Sequence, residues 1–140
     1  MFDIESSETR KVIHIRFHGE LSVKDFMTLD ELARQKHGDD QYDCIFDLSK
    51  IARVDLAADF VAKRGDLPQV FANRERIYVV PQDDLKLLVK LYAAYQEARG
   101  WRPPLIVENL DEAFATLGVA AGDDFSNLLL EIVDLGFNSR

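Results

Sequence analysis

Tyr42-Asp43-Cys44-Ile45-Phe46-Asp47-Leu48-Ser49-Lys50-Ile51-Ala52-Arg53-Val54-Asp55-Leu56-Ala57-Ala58-Asp59-Phe60 holds the organising step of the chain. Tyr42 to Leu48 is short and rich in aromatic and aliphatic residues. That pattern predicts a strand covered on both faces by helices. Asp47 and Ser49 close it, and Ser49 to Val54 reads as a connector. Asp55 stands where an N-cap would stand. Leu56, Ala57, Phe60 and Val61 then form a helical face running to Gly65. In an open α/β sheet, ligands and partners usually meet the protein where a strand ends and a helix begins.

Upstream of that stretch, Phe2 and Ile4 alternate with polar residues, and Ile13, Ile15 and Phe17 alternate again after Ser6-Ser7-Glu8-Thr9. Two such runs predict an opening β-hairpin, with His14, Arg16 and His18 on its polar outer face. Gly19-Glu20-Leu21 ends it. Ser22 with Asp25 forms a capping-box-like start for a helix to about His37, with Phe26, Leu29, Leu32 and Ala33 inward and Gly38 as its stop. Downstream, Ile77-Tyr78-Val79-Val80 is a strand stopped by Pro81. Asp83 or Asp84 caps the longest helix, which reaches Arg99 with Leu85, Leu88, Val89 and Tyr92 inward. Its second apolar stripe, Leu87, Leu91, Ala94, Tyr95 and Ala98, would stay exposed on the domain. Such a patch points to self-association, with Leu87, Leu91 and Tyr95 as the candidate contacts, or to packing by the C-terminal segment.

Leu105-Ile106-Val107 is the last strand. Asn109 with Glu112 opens a helix ending at Gly118. Phe125, Leu128, Leu129 and Ile132 recur at helical spacing after Asp123-Asp124, so a final helix is expected in a C-terminal extension, residues 119–140, packed on the 1–118 domain or on a partner subunit. Strands and helices alternate after the hairpin. That order predicts an α/β fold with a mixed, mostly parallel sheet and about four helices, plus the C-terminal helix.

The 140 residues suffice for one domain with a core, and 47% hydrophobic against 30% charged residues is ordinary for a globular chain. No apolar run approaches the roughly 20 residues of a membrane span. Met1 to Glu5 lacks the features of a signal peptide, and the expected location is cytoplasmic. Twenty-five acidic against 17 basic residues give a net charge of −8, which repels nucleic acid and anionic membranes.

Catalytic signals are weak. His14 and His18 have a metal-like spacing, but along a strand four residues span roughly 13 Å, too far for one ion. Cys44, the single cysteine, sits in an apolar strand and reads as a core thiol. No glycine-rich phosphate loop occurs. Asp47, Asp55 and Asp59 could form a hard-cation or acid/base site, but a cap and a first-turn residue explain Asp55 and Asp59. Asp39-Asp40, Asp83-Asp84 and Asp123-Asp124 read as turn and cap pairs. The residues thus point to no enzyme, metal or cofactor. A phosphoacceptor receiver domain has a similar element order and places an acidic pair after its first strand; here that place holds His18-Gly19-Glu20-Leu21.

Three segments in order, Val12 to Leu21, Ile45 to Ile51 leading to Val54-Asp55, and Glu108-Asn109-Leu110-Asp111-Glu112-Ala113-Phe114, resemble the STAS family, the anti-sigma-factor-antagonist-like or SpoIIAA-like domains. Ile77 to Pro81 and Tyr92-Ala93-Ala94-Tyr95 look closer to its SpoIIAA-like bacterial branch than to the sporulation regulators. The leading expectation is a non-enzymatic binding or regulatory domain that docks a protein partner through Ser49, Lys50, Arg53, Asp55, Leu56 and Asp59, and that self-associates, as the second stripe of the longest helix suggests, into a homodimer. In the regulators a serine just after the aspartate matching Asp55 is phosphorylated. Here Leu56, Ala57 and Ala58 follow, so the usual phosphoacceptor is missing. A carrier or sensor of a small apolar or lipid-like ligand, held between helices and sheet, is the alternative.

Overall fold

The computed structural model describes residues 1–36, 41–68, 71, 74–119 and 125–127, with the backbone alone at 35, 36, 126 and 127. Strands β1 (Phe2–Ser7) and β2 (Val12–Ser22) form the expected hairpin. They are followed by α1 (Val23–Lys36), β3 (Asp43–Asp55), α2 (Ala58–Gly65), β4 (Arg76–Val79), α3 (Asp83–Ala98), β5 (Leu105–Val107), α4 (Leu110–Leu117) and β6 (Ser126–Asn127). The sheet runs β5-β4-β3-β2-β1-β6. β2 to β5 pair in parallel, and β1 is antiparallel to both β2 and β6. This is the mixed, mostly parallel sheet that alternating elements build.

Two apolar layers hold the helices. On one face Ile13, Ile15, Phe17, Cys44, Leu48 and Tyr78 pack with Leu29 and Leu32 of α1 and with Leu85 and Val89 of α3. On the other, Val12, Ile45, Ile77 and Val79 meet Ala113 and Phe114 of α4. Period-two alternation sorts successive strand residues between these layers.

The caps agree with the sequence at two helices. Asp25 Oδ2 accepts from the Ser22 backbone N–H at 3.0 Å, and Asn109 Oδ1 accepts from the Glu112 N–H at 2.9 Å. Gly118 closes α4 at φ 69°, the left-handed conformation that a stop of this kind requires. At α3 the expected cap is corrected: the cap position is Gln82, and Asp83 and Asp84 lie in the first turn.

Several expectations are corrected. β2 does not end at Gly19, and Ser49 to Asp55 is not a connector: both strands continue together, Glu20 opposite Arg53, Leu21 opposite Val54 and Ser22 opposite Asp55. The register shifts between Arg16 and His18 and between Gly19 and Glu20, each time with one extra residue in β3, so β3 bulges twice without losing its partner, and Gly19 opposite takes φ 73°. Asp55 therefore ends a strand, and the N-cap of α2 is Ala57, which makes no side-chain cap.

His14 is buried at 2% exposure, because α4 and Phe125 cover the face that its alternation places outward. Ser126 and Asn127, expected in a helix, instead pair with Ser6 and Glu5, which occupies the backbone edge of β1. The expectations for His37 to Asp40, Asp123-Asp124 and residues 128–140 lie outside the described residues.

Candidate functional site

The extended ends of β2 and β3 lead into α2 and carry the residues singled out by sequence. Lys50, Arg53, Asp55 and Asp59 are exposed, while Ser49 and Leu56 are half-buried. Asp47 is buried, and its Oδ1 accepts from the Ser49 backbone N–H at 3.0 Å and from the Ser49 hydroxyl at 2.6 Å. Ser49 therefore lies where β3 bulges against β2, and its hydroxyl is engaged. Gln82 holds the same bend from the start of α3: its Nε2 donates to the carbonyl oxygens of Leu48 at 2.9 Å and Ile51 at 3.1 Å. Arg53 Nε donates to Glu20 Oε2 at 2.9 Å, tying the two strand ends together on the surface.

Leu56 does not present its side chain as a free contact. It packs against the main core and lines a small apolar opening with Leu21, Leu48, Phe60, Leu85 and Leu88. The exposed part of this surface is polar, with Lys50 and Arg53 beside Asp55 and Asp59. Asp47 is committed to Ser49, whereas Asp55 and Asp59 face solvent. Among the described residues, no group of three or more His, Cys, Asp or Glu side chains is arranged to hold a metal.

On α3, Leu87 is 67% and Tyr95 37% exposed, and Leu91 is half-buried. The second stripe is only partly open, because α2 packs against it. A Cβ added to Gly65 would lie 2.5 Å from Tyr95 Cβ, so α2 and α3 meet where a side chain is missing.

A larger hollow lies elsewhere. Between α1, the sheet and the segment after α2, a cavity of about 450 Å³ is lined by Phe26, Phe46, Phe71, Tyr78 and Tyr92 with aliphatic neighbours. Phe46 and Tyr78 stack at 4.5 Å and 15°. In its lining, Arg64 Nη1 and Nη2 donate to Asp30 at 3.1 and 2.7 Å, and the Arg64 guanidinium lies 4.7 Å from the Phe26 ring. Buried Arg76, also in the lining, donates to Tyr92 Oη at 2.7 Å, to Gln96 Oε1 at 3.2 Å and to the Arg102 carbonyl at 2.7 Å.

Sequence patterning missed this polar network. Its signal was Arg76 beside an apolar strand and Gln96 on an amphipathic helix, neither of which stands out without the fold. The Cys44 thiol at the cavity wall is pushed up to about 12 by burial, which keeps it protonated and a poor nucleophile.

Neither a family model nor a curated protein matches the sequence. Among solved structures, the unphosphorylated form of the anti-sigma factor antagonist SpoIIAA matches with a TM-score of 0.56 and 13% identity, over 83% of this chain and 96% of that one. The chain has a SpoIIAA-like, or STAS, fold. Among the described residues, no helix is long and apolar enough to cross a membrane.

Proposed function

We propose that this protein is a non-enzymatic regulatory domain that docks a protein partner through the exposed strand ends and the first turn of α2, and that works without the phosphorylation switch of its structural counterpart. The observation that carries this reading is the likeness to an anti-sigma factor antagonist over most of the chain. The docking residues are Lys50, Arg53, Asp55 and Asp59, with Ser49 and Leu56 shaping the surface from beneath. Leu56-Ala57-Ala58 offers no hydroxyl at the place where the resemblance puts the phosphoacceptor. A cytoplasmic homodimer formed through Leu87, Leu91 and Tyr95 completes the proposal.

Arg53 and Asp59 are exposed and can be reversed without disturbing the core. The test compares a partner-capture assay for the unaltered protein and for a variant carrying Arg53→Glu and Asp59→Arg. Loss of a stoichiometric partner with an unchanged melting temperature supports the reading. Equal capture by both proteins overturns the assigned surface. Sedimentation of Leu87→Arg is expected to give a monomer where the unaltered protein gives a dimer.

A second reading is favoured by the aromatic cavity, whose size lies in the roughly 300–1,000 Å³ range of small-molecule pockets. On that reading the domain carries or senses a small apolar ligand. Native mass spectrometry of freshly purified protein reads both at once, as subunit number and retained mass.

A further inference from the structure

Arg34, Arg64 and Arg76 line the cavity, and the first two are neutralised: Arg34 pairs with Glu31, and Asp30 holds both terminal nitrogens of Arg64. Arg76 differs. It is 8% exposed, and its hydrogen bonds run to neutral acceptors alone, the Tyr92 hydroxyl, the Gln96 side-chain oxygen and the Arg102 carbonyl. Among the described residues no carboxylate pairs with it. The acidic side chains beside it, Asp43 from β3 and Glu75 in sequence, are held by Arg74 and Arg102.

Neutral oxygens satisfy some of the five N–H donors of a guanidinium but leave its charge, which it does not lose in a folded protein. A buried cation without a counter-charge is costly. Folding has already borne that desolvation, so an anion brought to Arg76 must lose only its own water, and it gains a charge-assisted hydrogen bond in a low dielectric. The net charge of −8 opposes the approach of anions, but beyond about 8 Å that field is largely screened at physiological salt, whereas Arg76 acts at contact. The rest of the lining is largely apolar, with the stacked Phe46–Tyr78 pair on the sheet, Phe26 from α1 and Phe71 after α2. Aromatic faces favour flat rings packed edge-to-face or offset. Leu67, 55% exposed, gives an apolar entrance with Pro68.

We propose that this cavity binds a ring-bearing amphiphile with a single acidic head, and that Arg76 selects the head. This rests on the second functional reading and adds one anionic group to its apolar ligand. A single head fits because Arg76 is the one lining guanidinium that is not already matched by a carboxylate among the described residues.

The test is a fluorescence titration of the full chain with 8-anilinonaphthalene-1-sulfonate against N-phenyl-1-naphthylamine, which has the same rings and no sulfonate. Saturable one-to-one binding of both is expected, with the sulfonate tighter by about tenfold or more. Arg76→Gln, which removes the charge and stays polar, should bring the sulfonate down to the affinity of the neutral probe, while Arg76→Lys should retain the preference. Where neither variant folds, Ala33→Trp, which fills the cavity from α1 and leaves Arg76 in place, should abolish binding of both probes.

Equal binding of the two probes, tighter binding of the neutral one, or a sulfonate preference that persists in a folded Arg76→Gln protein each overturns the proposal while the second reading stands. Saturable binding of neither probe, or binding unchanged in a folded Ala33→Trp protein, overturns both. None of these outcomes bears on the docking reading, which is read from Arg53 and Asp59 outside the cavity.

Discussion

Asp47 accepts both the backbone N–H and the hydroxyl of Ser49, so one buried carboxylate shapes the bend at which β3 passes from the core into the exposed strand end. Replacing it removes two hydrogen bonds at once, both accepted by Oδ1, and leaves the Ser49 amide to find water. Asp47→Ala is expected to cost about 1–3 kcal/mol and Ser49→Ala about 0.5–1.5 kcal/mol. Urea denaturation of both variants checks the order, and an Asp47→Ala protein as stable as the unaltered one would remove the carboxylate from this role.

Gln96 joins the two helices that flank the cavity. Fully buried, it accepts from Arg76 and donates to the Leu67 carbonyl at 3.2 Å and to the Gly65 carbonyl. Gln96→Ala strands those groups in the interior, and a loss of about 1–3 kcal/mol is expected in chemical denaturation. The same measurement on Gly65→Ala should show a loss of about 1–3 kcal/mol, because the added Cβ meets Tyr95 Cβ at 2.5 Å and α2 must move away from α3.

Acid should weaken the fold through His14. Burial against Phe114 and Phe125 lowers its pKa below 6.5, outweighing the Glu5 carboxylate 3.0 Å from Nδ1; Nε2 has no hydrogen-bond partner among the described residues. The unfolded chain therefore binds this proton more readily than the folded one. Stability conferred by the neutral ring is complete above pH 6.5 and is lost as pH falls from there through the lower folded pKa. One proton contributes at most about 1.4 kcal/mol per pH unit. Denaturation at pH 7 and pH 5 should show a larger loss for the unaltered protein than for His14→Phe; equal losses would acquit His14.

Cys44 should resist alkylation in the folded protein. It is buried, and its thiol is held protonated with a pKa of about 12. Iodoacetamide at pH 8 is expected to add no mass to the native chain and one adduct in denaturant. Rapid native labelling would show that the cavity wall opens.

Local patterning made much of this fold legible. Alternation located the hairpin, Ser22 with Asp25 and Asn109 with Glu112 announced two helices, and Leu85 with Val89 marked the inner side of α3. Lys50, Arg53, Asp55 and Asp59 are exposed, but the first three stand on the strand β3 and not at a helix start. What failed did so for one reason: each error lay where a second, distant segment supplies the partner. Ser49 to Asp55 resembles a connector until Gly19 to Ser22 is seen pairing with it. Asp55 resembles a cap until that pairing claims it.

The sequence by itself determined the order of elements, the mostly parallel sheet, the missing hydroxyls at 56–58 and the acidic charge, because these depend on residues near one another in the chain. Tertiary structure alone decided that His14 is buried, that Ser126 and Asn127 extend the sheet on β1, and that Arg76, Tyr92 and Gln96 form a polar network beside an aromatic cavity. Those outcomes depend on which faces meet after the chain has folded, and local periodicity carries no record of what will cover a given face.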